Sequence, residues 1–77
     1  MNMAIDKYLD TCGLTCPEPV MMLHKAIKSL SQNQVIQVSA TDPSTQRDIA
    51  KFCQFLGHEM VSQQEQDGIF IYVIKKG

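Results

Sequence analysis

Residues 59–75 read EMVSQQEQDGIFIYVIK, and most of the architecture follows from them. Asp67-Gly68 is a pair that favours a type I′ turn, and it separates two runs of strand length, Glu59–Gln66 and Ile69–Lys75. The first run is Gln-rich and weakly patterned, which suits a sheet edge. The second is apolar on both faces, which suits the sheet centre. Upstream, Gly57 is a natural stop for a helix whose Ile49, Phe52, Cys53 and Leu56 lie at helical spacing on one buried face. That helix is predicted to start at Asp42-Pro43, with Asp at the N-cap and Pro in the first helical position. In Val35–Ala40, Ile36, Val38 and Ala40 alternate with Gln37 and Ser39, the period of a strand. A further helix is predicted from about Pro17 to Leu30. Val20, Met22, Leu23, Ala26, Ile27 and Leu30 fall on one half of its wheel, and His24, Lys25, Lys28 and Ser29 on the other. Tyr8–Cys12 reads as a short strand before it. The sum is an α/β two-layer sandwich of order βαβαββ, in which right-handed crossovers put both helices on one face of the sheet.

Seventy-seven residues suit one domain, expected to span residues 1–77. With 44% hydrophobic and 19% charged residues the chain is of the folded, not the disordered, class. Its core is too small to enclose a ligand cavity of about 300–1,000 Å³, so any chemistry is expected at the surface, with a partner. A net charge of −1 and few aromatics give no drive toward direct nucleic-acid or membrane binding. Three cysteines are too few for a disulfide scaffold. Met1–Asp10 holds no apolar leader core, and the apolar run Ile69–Ile74 is far shorter than a membrane span. A cytoplasmic location is expected.

The segment Gly13-Leu14-Thr15-Cys16-Pro17-Glu18-Pro19 carries the chemistry. Cys16-Pro17 stands where the second helix has Asp42-Pro43, so a thiol is expected at a helix N-cap in place of an anion. Helix N-termini lower thiol pKa values from about 8.5 toward roughly 3.5–7.5. Pro17 and Pro19 are predicted in the first and third helical positions, leaving the Glu18 and Val20 N–H groups to face the sulfur. The Glu18 carboxylate works against thiol acidity. Gly13 permits a tight exit from the first strand, and Leu14 reads as a packing residue.

Gly13-Leu14-x-Cys16-Pro17-x-Pro19 resembles the signature of the TusA/SirA family of small sulfur carriers. The likeness continues through Glu18–Met22 and Asp42–Ile49 to the Lys75-Lys76-Gly77 ending. Members often carry a basic residue where this chain has Thr15. The resemblance implies a four-stranded mixed sheet of order 1-2-4-3. It also implies that a cysteine desulfurase loads Cys16 with a persulfide sulfur. A downstream relay protein would take that sulfur on its own acceptor thiol, in a pathway for 2-thiolation of the tRNA wobble uridine. The chain would then be a sulfurtransferase component without independent turnover, needing no cofactor and monomeric when free.

Other residues have other readings. Cys12 is expected as an apolar filler at a strand end, and Cys53 as a core residue. The cysteines, His24 and His58 do not read together as a metal-ligand set, so no metal is expected. His24, about 12 Å along the helix from Cys16, is too far to be its base. Arg47, the lone arginine, lies on the other helix, which excludes a cysteine-phosphatase arrangement. Met21 falls in the middle of the polar face, and an exposed Met near a reactive thiol suggests an adaptable docking surface. Glu18, Met21, Lys25 and Lys28 are therefore expected to rim the partner-facing surface, and Arg47 and Asp48 either extend it or form local ion pairs. The alternatives are a regulatory or nucleic-acid-binding module, or a redox sensor closing a Cys12–Cys16 disulfide.

Overall fold

A computed structural model describes residues 4–77, so the first three residues of the stretch read as lacking a leader lie outside the described residues. Six elements follow in the expected order: β1 (Lys7–Thr11), α1 (Glu18–Ile27), β2 (Val35–Ala40), α2 (Thr45–Leu56), β3 (Glu59–Gln66) and β4 (Ile69–Lys75). The doubly apolar β4 is indeed central, antiparallel to both β2 and β3. β1 joins the far side of β2 in parallel, giving the mixed order β1-β2-β4-β3. Asp67 and Gly68 both have positive φ, 53° and 80°, as a type I′ turn requires. β3 is the polar edge, with a register irregularity between Met60 and Ser62.

Strand alternation puts Ile36, Val38 and Ala40 on the same sheet face as their partners Ile74, Tyr72 and Phe70. Those six side chains share one buried cluster with Leu23, Ala26 and Ile27 of α1 and Ile49, Phe52 and Cys53 of α2. Both helices therefore cover one face, and each fully buried aliphatic side chain contributes about 1.5–3 kcal/mol. The opposite face carries Tyr8, Gln37 and Val73 in one row, and Tyr8 is 69% exposed.

The boundaries differ from the sequence reading in ways that have causes. β1 ends at Thr11, whose buried hydroxyl donates to the Ser39 carbonyl (2.7 Å). Cys12 then opens a turn and is exposed, so it fills no strand end. α1 stops at Ile27, and single tighter bonds, Ser29 N–H to Ala26 O and Leu30 N–H to Ile27 O, carry the chain on to a buried Leu30. α2 begins at Thr45, after a capping turn over Asp42–Ser44. Gly57 ends it in the left-handed conformation, φ 75°. Met22 and Leu56, predicted on buried helix faces, are exposed. Leu56 is the last residue of its helix, and Met22 borders a groove over the edge strand β1 with Lys7, Leu9, Lys25, Ala26 and Ser29.

Candidate functional site

The chain leaves β1 through a turn closed by Leu14 N–H donating to the Thr11 carbonyl (3.1 Å). Gly13 takes φ 85° there, a conformation that favours glycine, and its N–H donates to Thr41 Oγ1 (2.9 Å). Leu14 is half-buried. The Cys16–Pro17 peptide is cis. Pro17, with φ −98° and ψ 13°, is itself the N-cap of α1 and makes no side-chain capping bond. Cys16 thus stands one residue outside the cap position expected for it, and Pro19, not Pro17, lies inside the first turn, fully buried. The Glu18 N–H is committed to the Thr15 carbonyl (2.9 Å) and is unavailable to the sulfur.

What holds Cys16 is the start of the other helix. Its backbone N–H donates to Asp42 Oδ2 (2.7 Å), while Asp42 Oδ1 accepts the Ser44 N–H (3.0 Å). The Asp42 carbonyl accepts both the N–H and the hydroxyl of Thr45, at 3.0 and 2.7 Å. Thr45 Oγ1 also lies 2.8 Å from the Tyr72 oxygen. Thr45 has one hydroxyl proton, and the Asp42 carbonyl takes it, so Tyr72 is the donor in that contact. A hydroxyl chain therefore ties the central strand β4 to the main-chain carbonyl of Asp42, the residue whose carboxylate fixes Cys16.

The exposed Cys16 thiol donates to Asp48 Oδ2 (3.0 Å), and Asp48 Oδ1 is 3.3 Å from Arg47 Nε. The Asp48 hydrogen bond, then burial and the Asp48 charge, hold the thiol above its ordinary pKa; Asp42 adds to this. The Ser44 hydroxyl lies close enough to oppose that shift, yet Ser44 Oγ is buried and completes no hydrogen bond among the described residues. The expected acidification by a helix N-terminus is therefore reversed, because the sulfur is set against the carboxylates of Asp48 and Asp42, in and just before α2, and not the N–H groups of α1. Asp48 is in turn held below the usual carboxylate range, chiefly by the Cys16 thiol. Asp42 is held low by the Ser44 and Cys16 N–H groups.

The remaining candidates separate. Cys53 is buried in the core and its thiol is pushed up to about 11 by burial. Cys12 is raised by its hydrogen bond to Asp10, whose carboxylate also accepts the Cys12 N–H (2.9 Å). His24 sets its ring edge-on to Phe52, centroids 5.6 Å apart, in an apolar groove with Val20 and Met21. Glu18, Met21, Lys25 and Lys28 are all exposed, Met21 by 62%, and the last three repeat at helical spacing along one face of α1 and its C-cap. The sequence reading missed Phe55, 81% exposed on α2, and missed that Asp42, Ser44 and Asp48 surround the thiol. The repeated X-Pro helix starts were the available signal, but nothing local says that the two starts meet.

Residues 7–76 match the family described as Sulfurtransferase TusA. A protein of Pseudomonas aeruginosa described as sulfur carrier protein TusA is 55% identical over 76 residues, covering 99% of this chain and 96% of that one. Its counterpart in Pseudomonas entomophila is 59% identical over 71 residues, 92% of this chain and 89% of that one. A crystal structure of a SirA-like protein from Desulfitobacterium hafniense superposes with a TM-score of 0.82 at 25% identity, covering 92% of this chain and 97% of that one.

Proposed function

The chain belongs to the sulfurtransferase TusA family and is a sulfur carrier, and we propose that Cys16 is the residue on which it carries sulfur, as a persulfide. The observation that carries this reading is a contrast between thiols. Cys16 is exposed and anchored through its own N–H at the meeting of two helix starts, whereas Cys53 is sealed in the core. The donor is a cysteine desulfurase holding the sulfur of free cysteine as its own persulfide. Cys16 sulfur attacks the outer sulfur of the donor, one S–S bond breaks in the donor and one forms at Cys16. The proton of Cys16 ends on the released donor thiolate, and the exchange involves no net oxidation. The acceptor thiol of a downstream relay protein repeats the exchange in the opposite sense, toward 2-thiolation of the tRNA wobble uridine.

Gly13, Pro17 and Pro19 shape the loop that presents the sulfur. Glu18, Met21, Lys25 and Lys28 are the surface offered to the two partners; their exposure and the adaptable thioether of Met21 support that assignment. Incubation with a desulfurase and cysteine should add one sulfur to the intact mass, lost on reduction. Cys12→Ser and Cys53→Ser should load like the parent. Loading that survives Cys16→Ser removes the assignment, and unchanged loading after joint charge reversal of Lys25 and Lys28 removes the docking surface.

A further inference from the structure

The reading of Cys16 as the sulfur-bearing thiol, on which this inference rests, leaves the Asp48 contact without a purpose. We infer that Asp48 distinguishes the empty carrier from the loaded one: it holds the Cys16 thiol inward as a hydrogen-bond donor and turns the persulfide outward by charge repulsion. The Cys16 thiol donates to Asp48 Oδ2 at 3.0 Å, a hydrogen bond with an ionised acceptor. The other oxygen, Oδ1, is occupied by Arg47 Nε, so the carboxylate is oriented before any partner arrives. The Asp48 side chain is only 19% exposed, and it sits in the first turn of α2, where the helix dipole favours its charged form.

The charged groups around the sulfur are few and mostly of one sign. Asp48 in α2 and Asp42 just before it bear on the sulfur, with Arg47 turned to Asp48, and Glu18 follows two residues later on α1. A neutral S–H gains from this setting, because it has a proton to give to Asp48. A persulfide loses, because the second sulfur makes the terminal S–H more acidic than a thiol and the loaded form is an anion near neutral pH. It has no proton to donate and meets the Asp48 carboxylate at contact distance, with the charge of Asp42 adding to the repulsion. The terminal sulfur is free to swing to solvent, where the acceptor thiol can reach it. The buried Ser44 hydroxyl, without a partner among the described residues, then gives the inner sulfur an uncharged donor. Emptying the carrier restores the proton and the inward position.

One substitution should move the two states in opposite directions. In Asp48→Asn the empty carrier loses its anionic acceptor, and iodoacetamide alkylation of Cys16 near neutral pH should rise roughly three- to tenfold, the range of a charge-assisted hydrogen bond largely screened by water. The same variant, combined with Cys12→Ser so that the second exposed thiol takes no sulfur and loaded chemically with polysulfide so that no partner is needed, presents an amide donor to the persulfide. Its sulfur should be removed by cyanide or dithiothreitol several-fold more slowly than from the parent. Asp48→Glu retains the charge and should return both rates toward those of the parent, and it keeps the test open if the amide variant folds poorly. A role confined to structure would change both rates in the same direction. That result, or parental rates in both assays, overturns the inference. Desulfurase-driven loading that persists on Cys16→Ser would instead overturn the assignment of Cys16 itself.

Discussion

Thr45→Val and Tyr72→Phe, made singly and together, probe the hydroxyl chain beneath the site. The two side chains are 1% and 0% exposed, so neither hydroxyl has water to fall back on. Thr45 donates to the Asp42 carbonyl and accepts from Tyr72. Removing the Tyr72 hydroxyl deletes one bond and leaves Thr45 still donating, a loss of about 1 kcal/mol. Replacing Thr45 by the isosteric Val deletes two bonds and strands the buried Tyr72 donor, which should cost about 2–3 kcal/mol. With Phe already at position 72 nothing is stranded, so the double variant should cost about 2 kcal/mol, and the cycle should show a coupling of roughly 1–2 kcal/mol. Urea unfolding followed by circular dichroism measures all four proteins. Thermal midpoints give a second reading, at about 4–8 °C per kcal/mol for a domain of this size. Strictly additive costs, or Tyr72→Phe costing more than Thr45→Val, would refute the donor assignment and the chain with it.

Two further outcomes follow from the thiols and the carboxylates. Alkylation of the native protein at mildly alkaline pH should label Cys12 and Cys16 and spare Cys53, whose buried thiol is raised to about 11; in concentrated guanidinium all three should react, and native labelling of Cys53 would contradict its burial. Asp10, Asp42 and Asp48 all have carboxyls below the ordinary 3.8, held there chiefly by the Cys12 N–H, the Ser44 N–H and the Cys16 thiol respectively. The folded chain therefore binds those protons less readily than the unfolded one, so their stabilisation is complete above about 3.8 and is lost as pH falls through the lowered values. Urea midpoints measured from neutral into strongly acidic solution should fall, and Asp42→Asn should flatten that fall; an unchanged slope in the variant would count against Asp42 as a contributor.

Element order was legible because it is written locally. Asp67-Gly68 supplies two positive φ angles, Gly57 a left-handed stop, and the doubly apolar Ile69–Lys75 run can only be central. Wheel arithmetic failed at Met22 and Leu56 because it treats a helix as covered along its whole length, whereas the sheet beneath ends at the edge strand β1 and the last turn of α2 is left uncovered. The two X-Pro starts were read as equivalent, but α1 begins one residue after its proline and α2 begins two after. The thiol's position in the chain was therefore readable, and its chemistry was not. Its acidity is set by Asp48 and Asp42, which adjoin Cys16 only after β1 and β2 have paired.

The thiol of Cys16 and its acceptor are separated by 32 positions along the chain. A nascent or unfolded chain cannot make that contact, so its Cys16 thiol lacks the hydrogen bond and the nearby charge that raise its pKa in the finished protein. Folding here makes a cysteine less nucleophilic. Electrophiles and oxidants that attack thiolates should therefore damage the unfinished chain faster than the native one. The native Cys16 thiol is thus guarded by a contact that only the folded chain can make.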